Sequence, residues 1–161
     1  MDNVFKVIQF TPVEKDRIYR EIGRFIFEFS QLEYTLRHHV SEMARLDEQY
    51  FDIITSAFDF AKLCTALLAL SGQRNGGKPD PEVEKLIKTC HEVNTVRLRV
   101  VHGLWVVGSG HDRAIHTSRN SMKSEVYFDK PGDLDEWSDK TSKLRWGIDQ
   151  AVNNFYFERP K

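Results

Sequence analysis

No proline stands between Pro12 and Pro79, so nothing in that stretch forbids a long helix. Through its first half, Ile18, Ile22, Ile26, Phe29, Leu36 and Val40 recur at steps of three and four, once doubled to seven. That is the period of a helix with one apolar face. Thr11-Pro12-Val13-Glu14 supplies the start: Thr11 to cap, Pro12 for the first helical position, Glu14 to close a capping box. Gly23 is the only weak helix former on the way. The pattern predicts one helix from Pro12 to about Arg45.

The remaining segments follow by the same logic. A second helical region is expected from Asp47 to Leu70, bent near Thr55-Ser56, with Ala57 to Leu70 apolar nearly all round, as in the middle of a bundle. Ser71 to Lys78 is a loop by composition. Asp80-Pro81 restarts a third long helix, with Val83, Leu86, Ile87, Cys90, Val93 and Val101 as its apolar face and Gly103 as its stop. Leu104 to Val107 and Ala114 to Thr117 are short β-like runs around Gly108-Ser109-Gly110-His111-Asp112, and Ser124 to Phe128 is a third. After the turn Lys130-Pro131-Gly132-Asp133, a last helix carries Leu134, Trp137, Leu144, Ile148, Val152 and Phe155. Val4 to Phe10 reads as a short strand or an ordered arm. The expected fold is mainly α: a single domain over residues 1–161, an antiparallel helical bundle with a small β-hairpin insert after the third helix, at about 104–128.

Length and charge narrow the functions open to such a bundle. At 161 residues the chain can bury a full core without metals or disulfides. Its 23 Lys+Arg against 24 Asp+Glu give a net charge of -1. A global electrostatic grip on nucleic acid or an anionic membrane is excluded, whereas a local basic groove is not. Cys64 and Cys90 fall in apolar helical runs with no CxxC, which fits reduced core thiols and a cytoplasmic location. No signal peptide is expected from Met1 to Phe10, and no apolar run is long enough to span a bilayer.

Two charges stand where apolar residues belong. Glu33 lies four after Phe29 and three before Leu36, in the middle of the first helix's apolar stripe. Arg97 lies four after Val93 and four before Val101, in the buried stripe of the third. A buried charge is costly unless paired and hydrogen-bonded. Either Glu33 and Arg97 are partners, or both line a polar cleft. The pair is then a structural salt bridge fixing helix register, or a site in which Glu33 orients the guanidinium for an anionic ligand.

Arg97-Leu98-Arg99-Val100-Val101-His102-Gly103 ends the third helix. At about 100° per residue, Arg97 and His102 stand about 140° apart. One ligand reaches both only if the helix frays near Gly103, or if the two come from facing copies of the chain. Histidine titrates close to neutral pH, which suits it to moving protons.

These residues resemble those of the HEPN domains, the superfamily named for higher-eukaryote and prokaryote nucleotide-binding proteins. Arg97 to His102 fits the family's Arg-x4-6-His motif, and "RLRVVHGLW" looks like the "RNxxxHG" ending of bacterial members. "FSQLEYTLRHHV" is similar to their first helix, where an acidic residue sits among apolar ones. The likeness spans about Thr11 to Trp105. It implies an all-α bundle that forms a homodimer and brings two Arg–His motifs to a shared cleft. It further implies a metal-independent endoribonuclease, of the kind found in toxin–antitoxin and anti-phage systems, with RNA as substrate, an antitoxin protein as partner and no cofactor. Carried over by position, His102 is the general acid or base, and Arg97 holds the phosphate and its transition-state charge. Glu33, Asn94 and Arg99 are supporting residues. In the family the position after the motif arginine is usually polar, often Asn, and here it is Leu98. Arg99 and Asn94 are the polar groups available in its place. The alternative is a non-catalytic module of the same kind that dimerises and binds a nucleotide, RNA or a protein. A third reading, an unrelated small-molecule binder, would close Glu33 and Arg97 in a pocket within one chain.

Other motifs carry less. His38-His39 with Glu42, and His111 with Asp112 and His116, match no zinc spacing, so no metal site is expected. His38 and His39 read as flanks of the first helix. Arg113 and the segment Ser118 to Lys123 form a modest basic patch, read as a solvated loop. Trp137, Trp146, Phe155, Tyr156 and Phe157 follow helical spacing and read as core or dimer interface rather than base-stacking groups.

Overall fold

The computed structural model describes residues 12–106, 113–117, 124–128 and 130–157. Helix α1 spans Pro12–Met43, close to the expected limits. Thr11, Val4 to Phe10 and the loop residues 107–112 and 118–123 lie outside the described residues, as does the side chain of Phe155. Arg45, at φ 56°, turns the chain out of α1 in the left-handed region.

The expected second helix is three pieces: a 3-10 turn at Glu48–Tyr50, a short helix α2 at Phe51–Thr55, and helix α3 at Phe60–Arg74. Asp59 explains the break. Its backbone is extended and its carboxylate accepts from Lys62 N at 2.8 Å, so it starts a new helix rather than continuing an old one. At the other end α3 runs past Leu70 into the segment expected as loop. Ser71 and Gly72 are buried there, and the Ser71 hydroxyl donates to the Leu68 carbonyl at 2.8 Å. A Cβ at Gly72 would lie in van der Waals contact with Pro79, 3.4 Å from its nitrogen. The turn itself falls on Gly76 and Gly77, both at positive φ.

Helix α4 is Pro81–His102, with Pro81 in its first turn and Asp80 accepting from Glu82 N and Val83 N. Three antiparallel strands follow in the order β1 (Leu104–Val106), β2 (Arg113–Thr117), β3 (Ser124–Tyr127). Leu104 faces Ile115 and Ile115 faces Val126, so the insert is a three-stranded meander rather than a single hairpin. Helix α5, Asp133–Phe157, closes the chain.

Contacts between helices give their directions. Phe29 stacks near Phe60 with ring centroids 4.6 Å apart, and Val40 and Ala44 meet Ala66 and Leu70, so α3 runs the same way as α1. The 3-10 turn and α2 make this possible by doubling back along α1, with Phe51 edge-on to Tyr34. Helix α4 returns antiparallel, with Val83 beside Leu67 and Arg97 beside Phe60. Helix α5 runs with α1: Arg24 pairs with Asp135 and Asp139, and farther along His39 pairs with Asp149. The core between them is Phe25, Phe29, Leu32 and Leu36 of α1 with Leu63, Leu67, Ile87, Val93, Leu134 and Ile148, all buried. The molecule is a mainly α helical bundle. Among the described residues, no helix is long and apolar enough to cross a membrane.

Candidate functional site

A cavity of about 370 Å³ opens where α1, the start of α3 and the last turns of α4 meet. Phe29 and Phe60 form its apolar floor, and Glu33, Asp59, Asn94 and Arg97 are its polar wall. Leu98 stands at its edge, 41% exposed. Three of the expected site residues, Glu33, Asn94 and Arg97, are therefore brought together. Arg99 and His102 are not among the lining residues.

The expected pairing of Glu33 with Arg97 is not the one formed. The Glu33 carboxylate accepts from Arg37, one turn on in α1, at 2.5 Å. An i, i+4 pair on one helix needs no second element to be positioned, so the local partner wins. Asp59 is also committed: it caps α3 and pairs with Lys62 at 3.4 Å. The Lys62 backbone N–H is the chief reason that the Asp59 carboxyl sits below its ordinary pKa. Arg97 lies with its guanidinium carbon 5.7 Å from the centre of the Phe29 ring. No carboxylate pairs with it among the described residues. The arrangement is thus a half-buried cation on an aromatic floor, with both nearby acids already satisfied, and it can accept an anion.

Arg99 takes a different direction. Its guanidinium lies over the Tyr127 ring at 3.8 Å from the centre, tying α4 to β3. It does not replace the polarity missing at Leu98. Trp105 reinforces the same junction, donating to the Val100 carbonyl at 2.9 Å and stacking on Phe128.

His102 is exposed and is the last residue of α4. The helix is intact to its end, because Gly103 N donates to the Arg99 carbonyl at 2.8 Å. The fraying that would let Arg97 and His102 meet within one chain does not occur. Around His102 the surface is apolar: Leu98, Val101 and Leu104 are all exposed.

Sequence reasoning missed Asp59, Phe29 and Phe60 as parts of the site. Asp59 carried a signal, a capping residue directly before an apolar run. It missed His39 as well, which is buried rather than a flank. His39 Nε2 donates to Asp149 Oδ1 at 3.1 Å, joining α1 to α5, and its Nδ1 is buried without a hydrogen-bond partner, 3.7 Å from Glu42. Burial holds this imidazole below its ordinary pKa, while Asp149 pulls the other way, His38 adds to the lowering and Glu42 opposes it. The unfolded chain therefore takes up the proton first as pH falls. His39's contribution to stability is complete above the ordinary histidine range and is lost on acidification through it. Urea midpoints measured from about pH 8 to about pH 5.5 should fall, and His39→Gln should flatten the dependence. An equal fall in the variant would assign the effect to other groups.

Cys64 and Cys90 are free and buried; the neighbouring Cys64 thiol first, and burial second, push the Cys90 thiol up. These are core thiols. Among the described residues no group of three or more His, Cys, Asp or Glu is placed to hold a metal. Compared with family models, with curated proteins and with solved structures, the chain finds no match.

Proposed function

We propose that this chain is a metal-independent endoribonuclease of HEPN type, acting as a homodimer on RNA. The observation that carries the reading is Arg97: a half-buried guanidinium at a cavity mouth whose two carboxylates are already paired elsewhere. In this reading the anion is an RNA phosphodiester, its charge met by Arg97 beside an aromatic floor. Arg97 binds the scissile phosphate and the charge that grows on it. His102 removes the proton as the 2′-oxygen bonds to phosphorus. The 5′-oxygen leaves and takes up a proton, so the products carry 2′,3′-cyclic phosphate and 5′-hydroxyl ends. The intact helix between Arg97 and His102 supports a site shared between copies, with Arg97 from one and His102 from the other.

The test is cleavage of mixed cellular RNA in EDTA by wild type, Arg97→Ala and His102→Ala, each checked for fold. Cyclic-phosphate ends made by wild type and lost in both variants are expected. Cleavage that survives both changes would sink the assignment. A second reading, a non-catalytic module that dimerises and binds RNA, a nucleotide or a protein such as an antitoxin, is favoured by Leu98, an apolar side chain where catalytic relatives would place a polar one. Binding of RNA without cleavage would select it.

A further inference from the structure

The last turns of α1 and the strap formed by the 3-10 turn and α2 frame a second hollow, of about 520 Å³, a size common among small-molecule sites. It shares no lining residue with the Arg97 cavity. Ser41 is its unusual member. The residue is only 6% exposed and lines the hollow, yet its hydroxyl makes no hydrogen bond among the described residues. Its oxygen is open to the hollow rather than sealed in the core. Thr55, Ser71, Ser138 and Thr141, the other buried hydroxyls described, each donate to a carbonyl three or four residues back in the same helix. A buried polar group without a partner is costly, and what this one faces is the hollow.

The charge around Ser41 is negative. Glu42 lies 3.5 Å from His38 and 3.7 Å from His39. Glu48 and Asp52, on the strap, are in no ion pair among the described residues. They stand four residues apart, a spacing at which like charges repel. A divalent metal ion needs six or more oxygens gathered round one centre. Among the described residues, no three acids or histidines gather closely enough to hold one. What suits carboxylates spread along a hollow is positive charge spread likewise, on ammonium groups separated by methylenes. Tyr34 and Phe51, edge-on with ring centroids 6.1 Å apart, offer such a chain apolar surface and cation–π contact.

We propose that this hollow binds a small aliphatic polyamine. Glu48 and Asp52 take its ammonium groups, the Ser41 hydroxyl accepts a hydrogen bond from one of them, and its methylenes lie along Tyr34, Phe51 and Leu46. The bound chain also ties down a segment that the fold holds by little: the 3-10 turn buries no residue, and α2 buries Thr55 alone. The site uses neither Arg97 nor His102 and stands apart from the RNA-cleavage reading.

Isothermal titration calorimetry of the full chain with spermidine, a triamine, tests the site without RNA. Salt at about 0.15 M screens diffuse attraction, which a net charge of -1 already keeps small. One spermidine per chain is expected, and butylamine, with a single ammonium group, should bind about tenfold more weakly or worse. Glu48→Gln with Asp52→Asn should raise the spermidine Kd about tenfold or more, and Ser41→Ala about threefold. Both chains should match wild type in circular dichroism and urea midpoint. Asp16→Asn with Glu136→Gln, exposed acids toward the other end of α1, should leave Kd unchanged. Spermidine should also slow amide exchange across residues 48–55. No spermidine binding, an unchanged Kd in either hollow variant, or butylamine binding as tightly would overturn the proposal. So would displacement by magnesium at equal ionic strength, or an equal loss in the distant acid variant, since either would leave nothing specific to a polyamine.

Discussion

Mixed in equal amounts, Arg97→Ala and His102→Ala chains are expected to recover about one quarter of wild-type RNA cleavage, although each alone is about 10²- to 10⁴-fold impaired. Random exchange makes half of the dimers mixed. If each site takes Arg97 from one copy and His102 from the other, a mixed dimer holds one complete site and one that lacks both groups. If both groups came from one chain, every site in a mixed dimer would lack one, and mixing would recover nothing. The intact last turn of α4 is what makes the first outcome the expected one, because it holds Arg97 at the cavity and His102 outside it. Recovery is read as cyclic-phosphate ends after the two chains have been allowed to exchange. No recovery from chains shown to have exchanged would place the site within one copy or remove it altogether.

Phe29→Ala is expected to cost about 3–5 kcal/mol of folding stability, as large-to-small changes of buried aromatics do. Phe29 is the point where the site and the core are the same residue. One side of its ring packs on Phe60 and lies 6.5 Å from Phe25, and Arg97 stands over it. Removing it leaves a hole among α1, α3 and α4 and takes away a cation–π contact of about 0.5–1 kcal/mol. Phe29→Leu keeps most of the volume and should lose less than half as much. Urea unfolding at unchanged slope measures both. A loss under about 1 kcal/mol for the alanine variant would mean that the three helices close over the hole.

The long helices were legible because each carries both a period and punctuation. Asp80-Pro81 starts α4 and Gly103 stops it, and both act as their chemistry requires. The second helical region divides where a bend was expected, near Thr55-Ser56, but as a full break from which Asp59 restarts the helix. Its apolar content hides how sharp the boundary is. A run that is apolar all round has no phase to lose, so a break in it leaves no trace in the period. At the site, the periodicity placed Glu33 and Arg97 correctly on inward faces, and both do reach one cavity. It could not choose their partners. Arg37 captures Glu33 by being one turn away on the same helix, and Tyr127, on a distant strand, captures Arg99. Such competition among charges is settled by local geometry that spacing along one helix does not contain. His39 illustrates the same limit: only the position of Asp149 on α5 makes burial of that ring tolerable.

The return of the chain through the 3-10 turn and α2 has a consequence for the order in which the molecule can close. An up-and-down bundle forms from neighbours in sequence, whereas here α1 meets its most extensive partner at the far end of the chain, as in the pairing of Arg24 with Asp135 across 111 residues. Local pairs such as α3 with α4 close short loops and can form early. The α1–α5 seam must wait for the longest loop in the fold. During synthesis, the flank of α1 destined for α5 stays open to solvent until the last helix has left the ribosome.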